Sequence, residues 1–172
     1  MGHTFQFNEN INSVITEALS KRGIMSHSYI SNHQHLVFST KNREAFLTPV
    51  IRERLWRVMD GIMKNNGIDA ITIGGYEDHC HALLSLPSTI PVAEAAKKLK
   101  GISSKWLSEE YPELKRFEWQ KGYAAFSVST SQLKKVIAYI NNQEEHHKQT
   151  PFRDEYISFL RANDIPFDEK FI

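Results

Sequence analysis

The sequence is poor in cysteine, since Cys80 is the only one among 172 residues and an internal disulfide is therefore excluded. Because disulfides mark oxidising compartments, we expect a reducing, cytoplasmic location. Long hydrophobic runs are also missing. No apolar stretch approaches the roughly 20 residues of a membrane-spanning helix, and the first residues lack the basic-then-apolar order of a secretory signal. We therefore expect no membrane partner.

A dominant charge is missing as well, because 21 basic and 20 acidic residues leave a formal net charge of +1. Basic residues are in excess between positions 41 and 135, and acidic residues are in excess after position 136. A basic surface can bind phosphates, but solvated helix faces have the same composition. The 41% of hydrophobic and 24% of charged residues are typical of a globular protein.

The first 24 residues look separate from the rest of the chain. Their apolar side chains recur at helical spacing, namely Ile11, Val14, Ile15, Ala18 and Leu19. Gly23 follows Lys21-Arg22 as a helix stop. The pattern predicts a helical extension over residues 1–24, followed by one domain over residues 25–172.

The remaining residues alternate between strand and helix patterns. Strands are predicted at 28–39, 68–73, 79–86 and 117–128, the last around a turn or bulge at Gly122. Helices are predicted from Pro49 to Asn65 and over 92–106, 130–147 and 152–163. A capping box formed by Ser129 and Gln132 would begin the third helix. The order predicts an α+β, ferredoxin-like split βαβ fold with one antiparallel sheet and two helices on one face. The last helices, a partner subunit or a ligand must then cover the other face.

The run His79-Cys80-His81 lies in the third predicted strand. Alternate side chains of a strand share a face, so the two imidazoles point the same way and Cys80 points to the opposite face. Such a pair can hold a metal ion. His33-Gln34-His35 has the same spacing, however, and two hydrogen-bonded core histidines would show the same pattern.

Tyr139 and Gln143 are four residues apart in the predicted helix over 130–147, which places them on one helix face. A phenol is a poor nucleophile unless it is activated or its substrate is polarised by a metal. An amide oxygen can serve as a third, neutral ligand. The alternative is an amphipathic tyrosine at the core margin and a solvent-facing glutamine.

Several segments together resemble the single-tyrosine His-hydrophobe-His transposases of bacterial insertion sequences, including relatives associated with repetitive extragenic palindromes. The segments are Gly75–His81, His35–Arg43, Lys100 with Ser103–Trp106, Trp119–Tyr123 with Ala125–Ser127, and Tyr139–His147. Cys80 takes a place that an aliphatic residue fills more often. The resemblance runs from Met25 to the end, and residues 1–24 have no counterpart in it.

The resemblance implies a metal-dependent enzyme that cleaves and rejoins single-stranded DNA through a 5′-phosphotyrosine intermediate. Tyr139 would be the nucleophile, and His79, His81 and Gln143 would hold Mg²⁺ or Mn²⁺. The alternative is a domesticated or inactive single-stranded nucleic-acid-binding protein of the same fold. A replication or plasmid-transfer nickase fits less well, because Tyr139 comes late in the chain.

The resemblance also implies a homodimer and DNA with hairpin ends as the partner. Whether one subunit or two complete each site stays open. The candidates for contacts with the DNA backbone are Lys41, Arg43, Lys100 and Lys105. The candidates for base stacking are Trp106, Trp119 and Tyr123, each of which could equally belong to the core.

Overall fold

The computed structural model describes residues 29–168, so the predicted extension over residues 1–24 lies outside the described residues. The four strands are β1 (His33–Ser39), β2 (Asp69–Gly75), β3 (His79–Ser85) and β4 (Ala124–Val128). The helices are α1 (Pro49–Asn65), α2 (Val92–Glu110), α3 (Leu133–Asn141), α4 (Gln143–His147) and α5 (Phe152–Ala162). None of these helices combines the length and the apolar character that crossing a membrane requires.

The strands form one antiparallel sheet in the order β2-β3-β1-β4. Helix α1 connects β1 to β2, and α2 connects β3 to β4, so that each pair of parallel strands has an antiparallel strand between its members. This is the split βαβ arrangement, and the predicted α+β, ferredoxin-like fold is confirmed. Because β1 and β3 occupy the centre, their side chains are the most enclosed of the sheet.

Helices α1 and α2 cover one face of the sheet. Alternating side chains of the central strands enter this core, namely Leu36, Phe38, Cys80, Ala82 and Leu84. Trp119 joins them, since it is buried and its indole N–H donates to Ser103 Oγ at 3.0 Å. Trp119 is therefore a core residue in this structure.

The last three helices cover the opposite face, as one of the sequence alternatives requires. Leu83 packs with the apolar stripe of α3, which consists of Leu133, Ile137 and Ile140. Val37 and Phe126 pack with Phe152 and Leu160 of α5. The intervening positions of β1 and β3 on this face are taken by polar residues, among them His35, His79 and His81.

Of the strand predicted over 117–128 around a turn or bulge at Gly122, only Ala124–Val128 forms a regular strand, and Gly122 before it has a φ of 82°. Before it, Trp119 makes an isolated bridge to Thr40. The Lys100 ammonium stabilises the irregular segment. It donates to the carbonyl oxygen of Gln120 at 2.7 Å and to that of Gly122. These two carbonyl oxygens therefore accept from Lys100 instead of from the backbone of a neighbouring strand.

The predicted single helix over 130–147 is also wrong. Residues Thr130–Gln132 form a 3-10 turn, and Ser129 makes no side-chain cap. Ser129 Oγ instead lies 2.9 Å from Ser131 Oγ. Asn142, with φ −107° and ψ 20°, then separates α3 from α4. Asparagine competes with helical hydrogen bonds through its own side chain, which accounts for a break at this place.

Gly74 lets α3 approach β2 closely. A Cβ atom added at Gly74 would lie 2.7 Å from the carbonyl oxygen of Ile140 and 2.9 Å from its Cγ2. Ile140 follows Tyr139 in α3, so the absence of a side chain at position 74 fixes where the tyrosine helix rests on the sheet.

Replacing Gly74 with alanine should therefore destabilise the fold by about 1–3 kcal/mol, because backbone and helix must separate to admit the methyl group. Gly61→Ala in α1 is the matched control, since nothing lies within 4 Å of its added Cβ. A glycine-to-alanine change inside a helix is expected to stabilise by roughly 0.5–1 kcal/mol. Urea unfolding measures both. Equal effects of the two substitutions would contradict the close approach.

Candidate active site

His79 and His81 lie side by side on the face of β3 that α3, α4 and α5 cover. Both side chains are fully buried. Their neighbours across the β1–β3 register are Ser39 and Val37, respectively. Their rings are perpendicular, with centroids 5.0 Å apart. The strand alternation thus places both imidazoles in one interior space, while Cys80 enters the other core.

The second histidine pair of the sequence does not form a separate site. His35 lies next to the first pair, with its Nε2 2.9 Å from His81 Nδ1. His33 lies at the far end of β1, where it pairs with Ser85 and Val128. His35 therefore fixes the ring of His81 through Nδ1 and leaves His81 Nε2 for another partner.

Glu155 on α5 is one of the residues that sequence reasoning missed. Its side chain is 4% exposed, and its Oε1 accepts hydrogen bonds from the Tyr139 hydroxyl and from Gln143 Nε2, the latter at 3.1 Å. Oε2 lies 3.4 Å from His81 Nε2. Burial first, and the charge of Asp78 second, raise the pKa of Glu155 to about 8. The available signal was its spacing, because Glu155 falls between Phe152 and Phe159 on the apolar face of the helix.

Hydrogen bonds fix the protons of two imidazoles in this cluster. His79 Nδ1–H donates to the Asp78 carboxylate at 2.7 Å, and His147 Nδ1–H donates to the Thr150 carbonyl at 2.6 Å. Neither acceptor carries a proton of its own. In the neutral imidazoles, the Nε2 atoms of His79 and His147 are consequently lone-pair acceptors. Burial lowers the pKa of His147 to about 4 and that of His81 well below its usual range, which keeps these rings neutral.

Both of these unprotonated nitrogens face the same amide oxygen. Gln143 Oε1 lies 2.9 Å from His79 Nε2 and 2.9 Å from His147 Nε2. Turning the amide over would let its NH₂ group donate to both rings, but its oxygen would then face the carboxylate of Glu155. When Glu155 is ionised, either orientation leaves the cluster one proton or one cation short.

The donor set around His79 and His81 fits a divalent cation. Ligand atoms of His79, His81 and Glu155 all lie within 4.8 Å of one another. His81 Nε2 and Glu155 Oε2 are buried and have no hydrogen-bond partner. Imidazole nitrogen and carboxylate oxygen are ordinary ligands of transition metals, and buried polar atoms without partners are costly. The sequence-predicted third ligand, Gln143, lies beside this group.

Tyr139, on α3, lies at the edge of the cluster. All residues of the cluster belong to the same chain as this tyrosine. Its ring centroid is 5.8 Å from that of His81, and its hydroxyl donates to Glu155. Tyr139 also lines an open cleft together with Asn142, His146 and Gln149. The phenol thus stands between the buried histidines and the surface.

The four predicted DNA contacts lie in different surroundings. Arg43 lines a cleft with Lys121 and Arg153, beside Ser39 and Phe152. Lys41 is exposed and pairs with Glu118 at 2.5 Å. Lys100 is held by backbone carbonyls, and the exposed Lys105 stands 3.8 Å from Glu109 on α2. Of the four, the structure brings only Arg43 into a cleft with other basic residues.

Known proteins share this fold. A solved structure described as a transposase of Deinococcus radiodurans matches with a TM-score of 0.58 and 24% identity, over 70% of this chain and 98% of that chain. The structure of a REP-associated tyrosine transposase bound to a REP hairpin matches with a TM-score of 0.54 and 15% identity, over 73% of this chain and 74% of that chain. At these identities, the matches show the architecture.

Curated relatives point to the same group at the level of sequence. The ISDra2 transposase TnpA of Deinococcus radiodurans is 28% identical over 116 residues, which are 64% of this chain and 83% of the relative. The transposase for insertion sequence element IS200 of Salmonella typhimurium is 26% identical over 129 residues, which are 72% of this chain and 84% of the relative.

The family match and the curated relatives show the class, which is that of the single-tyrosine His-hydrophobe-His transposases, and the sheet order agrees with it. Residues 28–143 match the IS200-like transposase family, and the chain belongs to that family. Glu155 and His147 lie beyond the matched residues.

The buried titratable groups predict how the stability of the metal-free protein depends on pH. Between pH 6.5 and 8 Glu155 keeps a proton in the folded state that it loses on unfolding, since its unfolded pKa is 4.5. Stability should therefore fall by up to about 2 kcal/mol as pH rises through this window. Below pH 6.5 the buried histidines, with pKa values of about 4 for His35 and His147, have the opposite effect. A maximum near pH 6.5 follows.

Denaturant titrations with chelator present at several pH values measure this profile. Glu155→Gln keeps the shape of the side chain and removes its proton equilibrium, so the decline above pH 6.5 should disappear. A decline of unchanged size in that variant would show that another group is responsible.

Proposed function

We propose that this chain cleaves and rejoins single-stranded DNA, with Tyr139 as the nucleophile and a 5′-phosphotyrosine intermediate. The observation that carries the proposal is the hydrogen bond from the Tyr139 hydroxyl to Glu155, beside a buried pair of histidines. Membership of a transposase family supplies the class of reaction. The hydrogen bond supplies a proton acceptor for a phenol that is otherwise a poor nucleophile.

The reaction conserves the number of phosphodiester-type bonds. The Tyr139 oxygen forms a bond to the scissile phosphorus, and the bond from phosphorus to the 3′ oxygen of the preceding nucleotide breaks. The phenol proton passes to Oε1 of the ionised Glu155 carboxylate, and the departing 3′ oxygen takes up a proton, from Glu155 or from water, to become a 3′-hydroxyl. Reversal by the same or another 3′-hydroxyl rejoins the strand, so no nucleoside triphosphate is required.

His79 and His81, with Gln143 as third ligand, would hold Mg²⁺ or Mn²⁺ through Nε2, Nε2 and Oε1. A divalent cation there supplies positive charge for the non-bridging oxygens of the phosphate, where charge grows in the transition state. The protein's own contribution is orientation. Asp78 and His35 fix the two rings through their Nδ1 atoms, at 2.7 and 2.9 Å.

We propose DNA with hairpin ends as the substrate, because one neighbour of the same fold is a tyrosine transposase bound to a REP hairpin. The cleft that contains Arg43, Lys121 and Arg153 is suited to the phosphate backbone. The exposed Lys41 and Lys105 would add weaker contacts, and Lys100 would act through the loop that it holds. A homodimer would present two such sites for the two ends of an element.

A second candidate is binding of single-stranded nucleic acid without cleavage. One observation favours it, since α5 covers the histidines and the Phe152 ring stacks on His79 at 4.2 Å between centroids. A closed centre of this kind suits a protein that binds DNA and leaves it intact. The two candidates differ in whether a covalent adduct forms.

Tyr139→Phe should abolish the covalent adduct with hairpin-tipped single-stranded DNA, because the attacking oxygen is missing. Binding of the same DNA should be unchanged. Denaturing electrophoresis of protein with labelled DNA detects the adduct. Tyr111→Phe is the matched control, since this tyrosine contacts Arg54 on the opposite layer and should leave the adduct intact. An adduct that survives Tyr139→Phe would rule out this nucleophile.

His81→Ala should reduce adduct formation at least 100-fold with Mn²⁺ present, because one ligand and the orientation that it provides are lost. His33→Ala, at the far end of β1, should have little effect and is the matched control. Chelator should mimic His81→Ala. If His33→Ala is the more damaging change, or chelator has no effect, the histidines have been assigned the wrong roles.

A further inference from the structure

A second pair of histidines lies against Glu155, next to the first pair. His146 and His147 belong to α4, and their ligand atoms lie within 4.8 Å of each other and of the Glu155 carboxylate. We propose that His146, His147 and Glu155 form a second site for a divalent first-row transition metal of the Zn²⁺ type. The site is adjacent to His79 and His81 but uses two different imidazoles.

The proton on His147 is already committed, which leaves a ligand atom free. Its Nδ1–H donates to the Thr150 carbonyl, so that in the neutral ring Nε2 carries a lone pair. This nitrogen lies 3.5 Å from Glu155 Oε2 and 2.9 Å from Gln143 Oε1. A nitrogen lone pair and a carboxylate oxygen are both acceptors, so their contact is not stabilising. A cation between such atoms turns the contact into shared coordination.

Two atoms of the proposed site are buried and lack hydrogen-bond partners. They are His146 Nε2 and Glu155 Oε2. His146 Nε2 lies 3.4 Å from Glu155 Oε1. Because a buried carboxylate without a compensating charge is costly, these atoms point to a ligand that supplies positive charge. The side chain of Glu155 is more than nine-tenths buried, so bulk water does not solvate it.

The site has an entrance, which the first histidine pair lacks on this side. His146 lines the open cleft that also contains Tyr139, Asn142 and Gln149. A cation can reach His146 through this cleft and keep coordination positions for water or a phosphate oxygen. Two imidazoles and one carboxylate with open positions are typical of catalytic zinc centres, and imidazole and carboxylate ligands suit a first-row transition metal.

Glu155 links the two sites to the nucleophile. Its Oε2 faces one imidazole of each pair, His81 at 3.4 Å and His147 at 3.5 Å. Its Oε1 accepts the hydrogen bond from Tyr139. A cation held by His146 and His147 would therefore act on the same carboxylate that receives the phenol proton. The second site shares Glu155 with the first, but the binding of a cation there does not depend on the cleavage proposed above.

The test is the number of ions that the full chain binds. Titration with Co²⁺, followed by its visible d–d absorption and by calorimetry, should give two equivalents for the wild type. The variant His146→Gln/His147→Gln should bind one equivalent, and His79→Gln/His81→Gln should also keep one. Glu155→Gln should weaken both steps at least tenfold. His33→Gln is the control and should bind two.

One equivalent in the wild type, or two in the His146→Gln/His147→Gln variant, would overturn the proposal. A measurement on the wild type alone keeps it falsifiable if a variant does not fold. Two Mn²⁺ ions that share Glu155 should show mutual magnetic coupling in the electron paramagnetic resonance spectrum, whereas an uncoupled spectrum at saturation would contradict it. Tyr139→Phe should bind two ions whether or not the wild type cleaves DNA.

Discussion

The polar interior between the sheet and its last helices centres on one carboxylate, Glu155, which is held away from water among imidazoles. A buried carboxylate must take up a proton, contact a cation or pay a large desolvation cost. Its neighbours supply hydrogen bonds from Tyr139 and Gln143 but no permanent positive charge. The raised pKa of Glu155 and the partnerless nitrogen of His81 are two consequences of the same shortage.

The sheet and the helices that cover it create this situation together. The alternation along β3 sends Cys80 into one core and His79 and His81 into the other. The break at Asn142 then begins α4, whose Gln143 is buried and contacts His79. Helix α5 completes the enclosure, with Phe152 on His79 and Phe159 on His81, and inserts Glu155 between them. The chemistry of the site results from the position at which β3, α4 and α5 pack together.

Much of the fold could be predicted from the sequence because it depends on local periodicity. The two-residue repeat of β3 was sufficient to place His79 and His81 on one face, and the order of elements indicated the split βαβ fold. The irregular course of residues 117–123 could not be predicted, because Lys100 acts on it through contacts outside the local pattern, and the break at Asn142 was missed although asparagine is a weak helix former. Glu155 and His147 were missed for a related reason: their role arises only when α5 packs across the sheet. The same packing distinguishes His35, which supports His81, from a metal pair with His33.

The most direct test of this account is a crystal structure of the full chain with Mn²⁺, with anomalous scattering used to locate the metal. The account predicts a strong peak between the Nε2 atoms of His79 and His81 and the oxygens of Gln143 or Glu155. A second peak is predicted beside His146 and His147. Anomalous density at His33, or none within coordination distance of Glu155, would contradict the claim that this buried carboxylate belongs to a cation site.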